Sequence, residues 1–175
     1  VKEVFDQPVI ARCQLHKLRN VRDHLPENMR GPVEKRMRKA YHAGSALEAE
    51  AQLTALAKEL DKTNPGAAGS LREGMAETLT VLRLEVPPTL ARTLRSTNAV
   101  ESMISISRDH SRNVKRWRDG AMAMRWCAAG MVEASKQFRR VNGHLPLAAL
   151  RASLARHVGN ETVGAECNTQ DVSAA

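Results

Sequence analysis

The chain has 175 residues, a length within the usual range of a single domain. Its apolar fraction of 42% can support a core, but two Trp, one Tyr and two Phe leave Leu, Val, Ala and Met to build it, which favours helices over strands. The net charge of +8 points to polyanionic partners, and the absence of any run of about 18 apolar residues excludes a membrane-spanning helix.

The first predicted element is a strand. Residues 8–14 combine a proline with β-branched side chains, a pattern typical of strands. A lone strand cannot pair its backbone groups and therefore needs a sheet from elsewhere. We therefore expect residues that precede Val1 to supply this sheet.

Most of the remaining sequence predicts helices. A short basic helix over residues 16–24 ends before Pro26, and Pro32 suits the first position of a second helix that reaches about residue 42. Ser45 can cap a third helix over residues 46–60. The predicted apolar stripe of this third helix contains Leu47, Leu53, Leu56 and Leu60.

The second half of the chain also predicts helices. Residues 65–84 favour helix with a possible break at Gly69, and Pro88 can open a short helix over residues 88–94. Three further helices are expected over residues 98–110, from the capping residue Asp119 to Arg140, and over residues 145–157. Trp126 and its Met neighbours are expected in the core; these neighbours are Met122, Met124 and Met131.

Charge is spread unevenly along the chain. Residues 12–39 carry nine Lys or Arg against three acidic residues, whereas residues 44–85 carry seven acidic against four basic residues. Positive charge returns in residues 92–118. Two basic segments around an acidic one suit a surface that contacts phosphate in two places, although solvated helix faces explain the pattern equally well.

The segment Leu94-Arg95-Ser96-Thr97-Asn98-Ala99-Val100-Glu101-Ser102 is the most informative stretch. Asn98 as the N-cap and Glu101 in the first turn would form a capping box. The same carboxylate in a basic neighbourhood suits a metal-dependent enzyme that cuts or joins a polyanion, because Mg²⁺ prefers oxygen ligands. The two interpretations are compatible. The basic neighbours are Arg108, Arg112, Lys115, Arg116 and Arg118.

A second motif lies near the start of the chain. Cys13 and His16 form a Cys-x-x-His pair, followed by Arg19 and Asn20. As a zinc site the pair is weak, because a structural site needs four ligands and no second pair is present in the sequence. A buried thiol beside a packed histidine is the alternative.

Thr97-Asn98-x-x-Glu101, together with Cys13-x-x-His16 and the following Arg19-Asn20, resembles the Mutator-type transposases of bacterial insertion sequences, from about Val1 to Leu154. Such enzymes carry an Asp, Asp and Glu (DDE) triad. The resemblance implies that Glu101 is the third catalytic acid and a ligand of Mg²⁺ or Mn²⁺. It implies supporting roles at the site for Asn98, Cys13, His16, Arg19 and Asn20.

The resemblance also implies a fold. The chain would be mostly α with one N-terminal strand, as the C-terminal part of an α/β ribonuclease-H-like DDE core including its helical insertion. Residues 1–29 would hold a late strand and a basic helix, residues 30–86 the helical insertion, residues 87–157 the Glu-bearing helix and the C-terminal helices, and residues 158–175 a disordered tail. The two aspartates would precede Val1, so the isolated chain is expected to be inactive.

The implied partners are DNA and further transposase subunits. The full-length enzyme would act as a homo-oligomer on the terminal inverted repeats and target DNA, in the bacterial cytoplasm and associated with the nucleoid. Three widely spaced cysteines favour reduced thiols, in agreement with that location. Candidates for DNA contact are Arg19, Arg22, Arg108, Arg112, Lys115, Arg116, Trp117 and Arg118, of which Trp117 could stack on an unpaired base or serve as a packing anchor.

Two other functions are compatible with the same sequence. A non-catalytic helical DNA-binding or regulatory protein would explain the basic segments. A degenerate remnant of a transposase would do so as well.

Overall fold

The computed structural model describes residues 8–138 and 144–156. These residues are mostly helical and contain no strand. They fall into two compact units. The first unit contains residues 8–96 and 144–156, and the second contains residues 97–138.

The helices of the first unit are short to medium in length. They are α1 (Gln14–Asp23), α2 (Glu27–Ala40), α3 (Ala46–Leu60), α4 (Pro65–Arg72), α5 (Met75–Thr78), α6 (Thr80–Arg83), α7 (Pro88–Leu94) and α10 (residues 147–156). The second unit contains α8 (Asn98–Ser111) and α9 (Gly120–Gln137).

The first unit has two hydrophobic clusters. In the larger one, α1 packs against α2 and α4, and α3 packs against the same two helices. Val21, Met37 and Leu53 are each at most 1% exposed there. In the smaller one, side chains of residues 81–91 pack against Leu150 and Leu154 of α10. The first unit is therefore discontinuous in sequence, since the residues of the second unit come after α7 and before α10 along the chain.

The structure confirms the predicted start and end of α3. The Ser45 hydroxyl accepts a hydrogen bond from the Glu48 N–H at 3.1 Å, which satisfies a donor of the first turn. Leu53, Leu56 and Leu60 are buried, as expected. The prediction that Leu47 belongs to the buried stripe is wrong, because Leu47 is 79% exposed, and Ala49 and Ala57 complete the stripe instead.

The strand predicted over residues 8–14 is not confirmed. Residues 8–13 form no regular secondary structure, and Gln14 already begins α1. The Arg12 N–H donates to the Glu77 carbonyl at 3.0 Å, and the Ile10 carbonyl accepts from the Thr80 hydroxyl at 2.7 Å. Neighbouring helical segments thus provide hydrogen-bond partners for backbone groups of residues 8–13, which the prediction expected to pair with another strand.

Helix α2 begins earlier than predicted. Its N-cap is Pro26, and Pro32 lies inside the helix instead of at its start. Pro32 has no N–H and cannot donate to the carbonyl four residues earlier, yet the helix continues to Ala40. Val33 and Met37 are buried in the larger cluster, so packing of the helix face outweighs the local preference.

The break after α4 lies at Gly74, not at Gly69. Gly74 has a φ of +63°, in the left-handed region that favours glycine. A Cβ atom there would lie 2.6 Å from Nε of Arg12. The side chain of Arg12, which is distant in sequence, therefore lies directly against this glycine.

Helices α8 and α9 pack against each other through small residues. Ser107, Gly130 and Ala134 are the buried positions of the described part of this unit. A Cβ atom at Gly130 would lie 2.7 Å from the Cα atom of Ser107. The two backbones thus approach more closely than any larger side chain at Gly130 would allow.

Asp119 caps α9 as predicted, since its carboxylate accepts from the Met122 N–H at 2.6 Å. The expectation that Trp126 lies in the core is wrong, because it is 38% exposed, and Met124 is 72% exposed. Small residues make the contact with α8, which leaves these larger side chains on the surface.

The remaining predictions concern the chain end and membranes. Helix α10 covers residues 147–156 of the predicted 145–157, and the predicted tail over 158–175 lies outside the described residues, as does Arg140. In the part of the chain that the structure describes, no helix is sufficiently long and apolar to cross a membrane.

Candidate catalytic and nucleic-acid-binding residues

Glu101 lies exposed in the first turn of α8. The N-cap is Thr97 rather than Asn98, and it makes no side-chain hydrogen bond to the helix backbone, so the predicted capping box is absent from this described helix end. The Thr97 hydroxyl instead donates to the carboxylate of Glu101. The Glu101 N–H donates to the Thr97 carbonyl at 2.9 Å. Thr97 therefore holds both the backbone and the side chain of Glu101.

One stripe of α8 carries opposite charges at its two ends. At about 100° per residue, Glu101, Arg108 and Arg112 lie within roughly 20° of one direction around the helix. All three are exposed, and Ser107, which contacts α9, lies about 120° away. The rise from Glu101 to Arg112 is about 16 Å. An acid near the N-terminus and bases near the C-terminus also complement the helix dipole.

The segment after α8 concentrates exposed basic side chains. Residues 113–118 contain no helix or strand. Lys115, Arg116 and Arg118 are exposed, and Trp117 is 49% exposed. The guanidinium of Arg118 lies 3.2 Å from the carboxylate of Asp119, which caps α9. An exposed cationic segment with an accessible indole is suited to contacts with phosphates and with an unstacked base.

The Cys-x-x-His motif lies at the N-terminus of α1. Cys13 is the N-cap residue and is partly buried, whereas His16, Arg19, Asn20 and Arg22 are exposed. The exposed side chains face away from the larger hydrophobic cluster, because Leu18 and Val21 occupy the inner face. Most of this motif thus remains accessible to a partner.

Two side chains within this motif have a structural role that the charge pattern concealed. The Lys17 side chain is 3% exposed, and its ammonium group donates to the carbonyls of Ser70 and Glu73 at 2.7 and 2.5 Å. It also contacts the Glu73 carboxylate at 2.9 Å. Gln14 donates to the Thr78 carbonyl at 2.9 Å. Hydrogen bonds from Lys17 and then Arg12 lower the pKa of Glu73.

A complete metal centre is not found within residues 8–138 and 144–156. No group of three or more His, Cys, Asp or Glu side chains is arranged there to hold an ion. Glu101 supplies the oxygen chemistry that Mg²⁺ prefers, but these residues alone do not fit a Mg²⁺ site. In this part of the chain, Cys13 and His16 likewise belong to no group of three or more ligands, whereas a structural zinc site needs four.

The structure brings the predicted residues into two groups. One group lies on α1 in the first unit and contains Cys13, His16, Arg19, Asn20 and Arg22. The other lies in the second unit, on α8 and the segment that follows it, and contains Asn98, Glu101, Arg108, Arg112, Lys115, Arg116, Trp117 and Arg118.

Comparison with known proteins identifies the family. Residues 1–141 match the family model described as "Transposase, Mutator family". The transposase for insertion sequence element ISRM5 of Rhizobium meliloti (strain 1021) is 27% identical over 151 residues, which cover 86% of this chain and 37% of the relative. No solved structure matches the chain. The chain thus spans little more than a third of that relative's length, and it belongs to the Mutator family of transposases.

Proposed function

We propose that this chain forms the C-terminal part of a DDE transposase, with Glu101 as its third catalytic acid. The observation that carries the proposal is the exposed carboxylate in the first turn of α8, oriented by Thr97 within the motif Thr97-Asn98-x-x-Glu101. Membership of the Mutator family supports it. The complete enzyme cleaves transposon ends and joins them to target DNA.

The remaining catalytic acids come from outside the described residues. Glu101 and two aspartates from outside the described residues would together hold Mg²⁺ or Mn²⁺, which would supply electrostatic activation of the attacking oxygen and stabilisation of the leaving oxygen at a phosphodiester. Within the described residues, Glu101 has no cluster of further ligands for such an ion. The relative's additional length provides room for two aspartates and for the strands of a ribonuclease-H-like core.

Basic residues of both units provide the contacts to DNA. Arg108 and Arg112 lie on the stripe of Glu101, and the exposed segment 113–118 follows in sequence. Arg19 and Arg22 are exposed on α1. Their contacts are to phosphates, which give affinity and salt dependence without reading sequence. The partners are terminal inverted repeats, target DNA and other subunits in a bacterial cytoplasm.

The test is strand transfer by the full-length protein on labelled transposon ends with Mg²⁺. Glu101→Gln removes the charge while nearly retaining the shape. We expect it to fold and bind DNA, yet to cleave and join at least about 100-fold more slowly, as when a preorganised electrostatic contact is removed. The matched control is Asp109→Asn, which neutralises another exposed carboxylate of α8 and leaves the rate within about two-fold.

Two outcomes would contradict the proposal. Activity retained by Glu101→Gln would reduce Glu101 to a partner of Thr97 and of the helix dipole. A full-length wild-type protein that binds transposon ends but neither cleaves nor joins them would instead support a regulatory protein or a degenerate remnant.

A further inference from the structure

A pocket in the first unit is lined by three basic side chains. Its volume is about 160 Å³, and Arg38, His42 and Arg95 contribute to its wall. Leu15 and Leu18 of α1 form an apolar part of the lining. None of the residues that line this pocket is acidic. The described lining of the pocket thus contains basic side chains and no carboxylate.

Arg95 is the distinctive residue of this pocket. It follows the last residue of α7 and is partly buried, and its Nε atom is buried without a hydrogen-bond partner in the described chain. Burial lowers the pKa of Arg95. In contrast, a carboxylate partner raises the pKa of Arg36 and of Arg72. The positive charge of Arg95 is therefore partly removed from water, and no carboxylate among the described residues compensates for it.

Arg38 and His42, the other two basic residues of the wall, are held by hydrogen bonds. Arg38 donates to the Glu34 carboxylate at 2.9 and 2.6 Å. Nδ1 of His42 donates to the Arg38 carbonyl at 2.8 Å, which leaves Nε2 as the remaining polar atom of the ring. Tyr41 is 2% exposed, and its hydroxyl is buried without a hydrogen-bond partner in the described residues.

We propose that this pocket binds a phosphate group of the DNA backbone through the guanidinium of Arg95. A buried cation is normally paired, because its burial otherwise costs solvation free energy. The planar guanidinium presents two parallel N–H groups that match two phosphate oxygens. That DNA supplies the phosphate rests on the proposed function, whereas the anion site itself rests on the pocket. Free phosphate has the same chemistry and is the alternative source.

The first experiment measures binding of duplex DNA to the 175-residue chain over a series of salt concentrations. Arg95→Gln is compared with Arg92→Gln, which removes the same charge from an exposed position of α7. We expect Arg95→Gln to weaken binding about 10-fold and to reduce the slope of log K against log salt by about 0.9, the value for one phosphate contact. Arg92→Gln should leave the slope unchanged.

The second experiment measures thermal unfolding with inorganic phosphate in place of chloride at constant ionic strength. Phosphate should raise the midpoint of the wild type and of Arg92→Gln, but not that of Arg95→Gln. Arg95→Lys keeps the charge without the planar fork and should retain part of the shift. Without phosphate, Arg95→Gln should unfold at or above the wild-type midpoint, because it removes a partly buried charge that has no carboxylate partner among the described residues.

Each contrary result has a separate meaning. A phosphate shift that depends on Arg95, together with equal DNA binding by the two Gln variants, overturns DNA as the source. If neither DNA binding nor the phosphate shift depends on Arg95, the anion site is overturned. A lower unfolding midpoint of Arg95→Gln without phosphate also overturns it, because the guanidinium would then stabilise the fold instead of awaiting an anion. None of these readouts requires strand cleavage, so they are independent of the test of Glu101.

Discussion

The two units of this chain are held together in different ways. The first unit buries large side chains, such as Met37 and Leu53, in clusters to which several helices contribute. The described part of the second unit buries Ser107, Gly130 and Ala134, and no large apolar side chain. Burial of large apolar side chains stabilises the first unit, whereas close packing of two helix backbones holds α8 against α9 in the second.

Candidate functional residues lie in both units. The second unit carries Glu101 and the basic segment 113–118 on exposed surfaces. It also exposes Trp117 and Val132, at 49% and 60%. Regions with few buried apolar contacts open more easily than a packed core. The proposed third catalytic acid thus lies in the unit whose described residues bury no large apolar side chain, while the first unit supplies most of the buried core.

The largest expected effect tests the core of the first unit. Leu53→Ala should lower the free energy of unfolding by about 3 kcal/mol, because a fully buried leucine leaves a cavity. Leu47→Ala changes the same side chain on the same helix at a 79% exposed position and should cost less than about 0.5 kcal/mol. Urea titration of both variants measures the contrast, and equal losses would mean that α3 is oriented differently.

A smaller effect concerns the polar part of the same core. Lys17→Met should destabilise the chain by about 2 kcal/mol, because the carbonyls of Ser70 and Glu73 lose a charged donor. Lys35→Met alters an exposed lysine of α2 and should change stability by less than about 0.5 kcal/mol. Thermal and urea unfolding report the difference. An unchanged free energy of unfolding in Lys17→Met would show that the buried contacts of Lys17 make no net contribution to stability.

The smallest effect belongs to the second unit. Gly130→Ala places a methyl group against the backbone of Ser107 and should separate α8 from α9 at a net cost of about 1 kcal/mol. Gly120→Ala adds the same group at the start of α9, where nothing lies within 4 Å. Amide hydrogen exchange should become faster in α8 and α9 for the first variant alone. Unchanged exchange would indicate a looser contact between these helices.

Local signals in the sequence were sufficient for several elements. Ser45 and Asp119 fix the starts of α3 and α9, because each side chain accepts a hydrogen bond from the first turn of its own helix. Pro88 similarly opens α7. The motif around Thr97 and Glu101 identified the family, which the comparisons bear out. In each of these cases the decisive residues are close in sequence.

The errors arose where distant residues decide the structure. Pro32 remains inside α2 because the adjacent face is packed in the core, and the chain breaks at Gly74 beside Arg12. Lys17 belongs to the predicted basic helix, and the local sequence gives no sign that carbonyls more than 50 positions later accept hydrogen bonds from its ammonium group. The accessibility of Trp126 likewise depends on which residues of α9 meet α8. The catalytic role of Glu101 stays a prediction.

The discontinuity of the first unit has a consequence for biosynthesis. Val81, Leu84 and Leu90 leave the ribosome well before Leu150 and Leu154, which pack against their cluster. That cluster therefore stays incomplete until the whole second unit has been translated. The second unit is therefore synthesised after residues 81–94 and before α10, and α10 is the last described helix to become available to the smaller cluster.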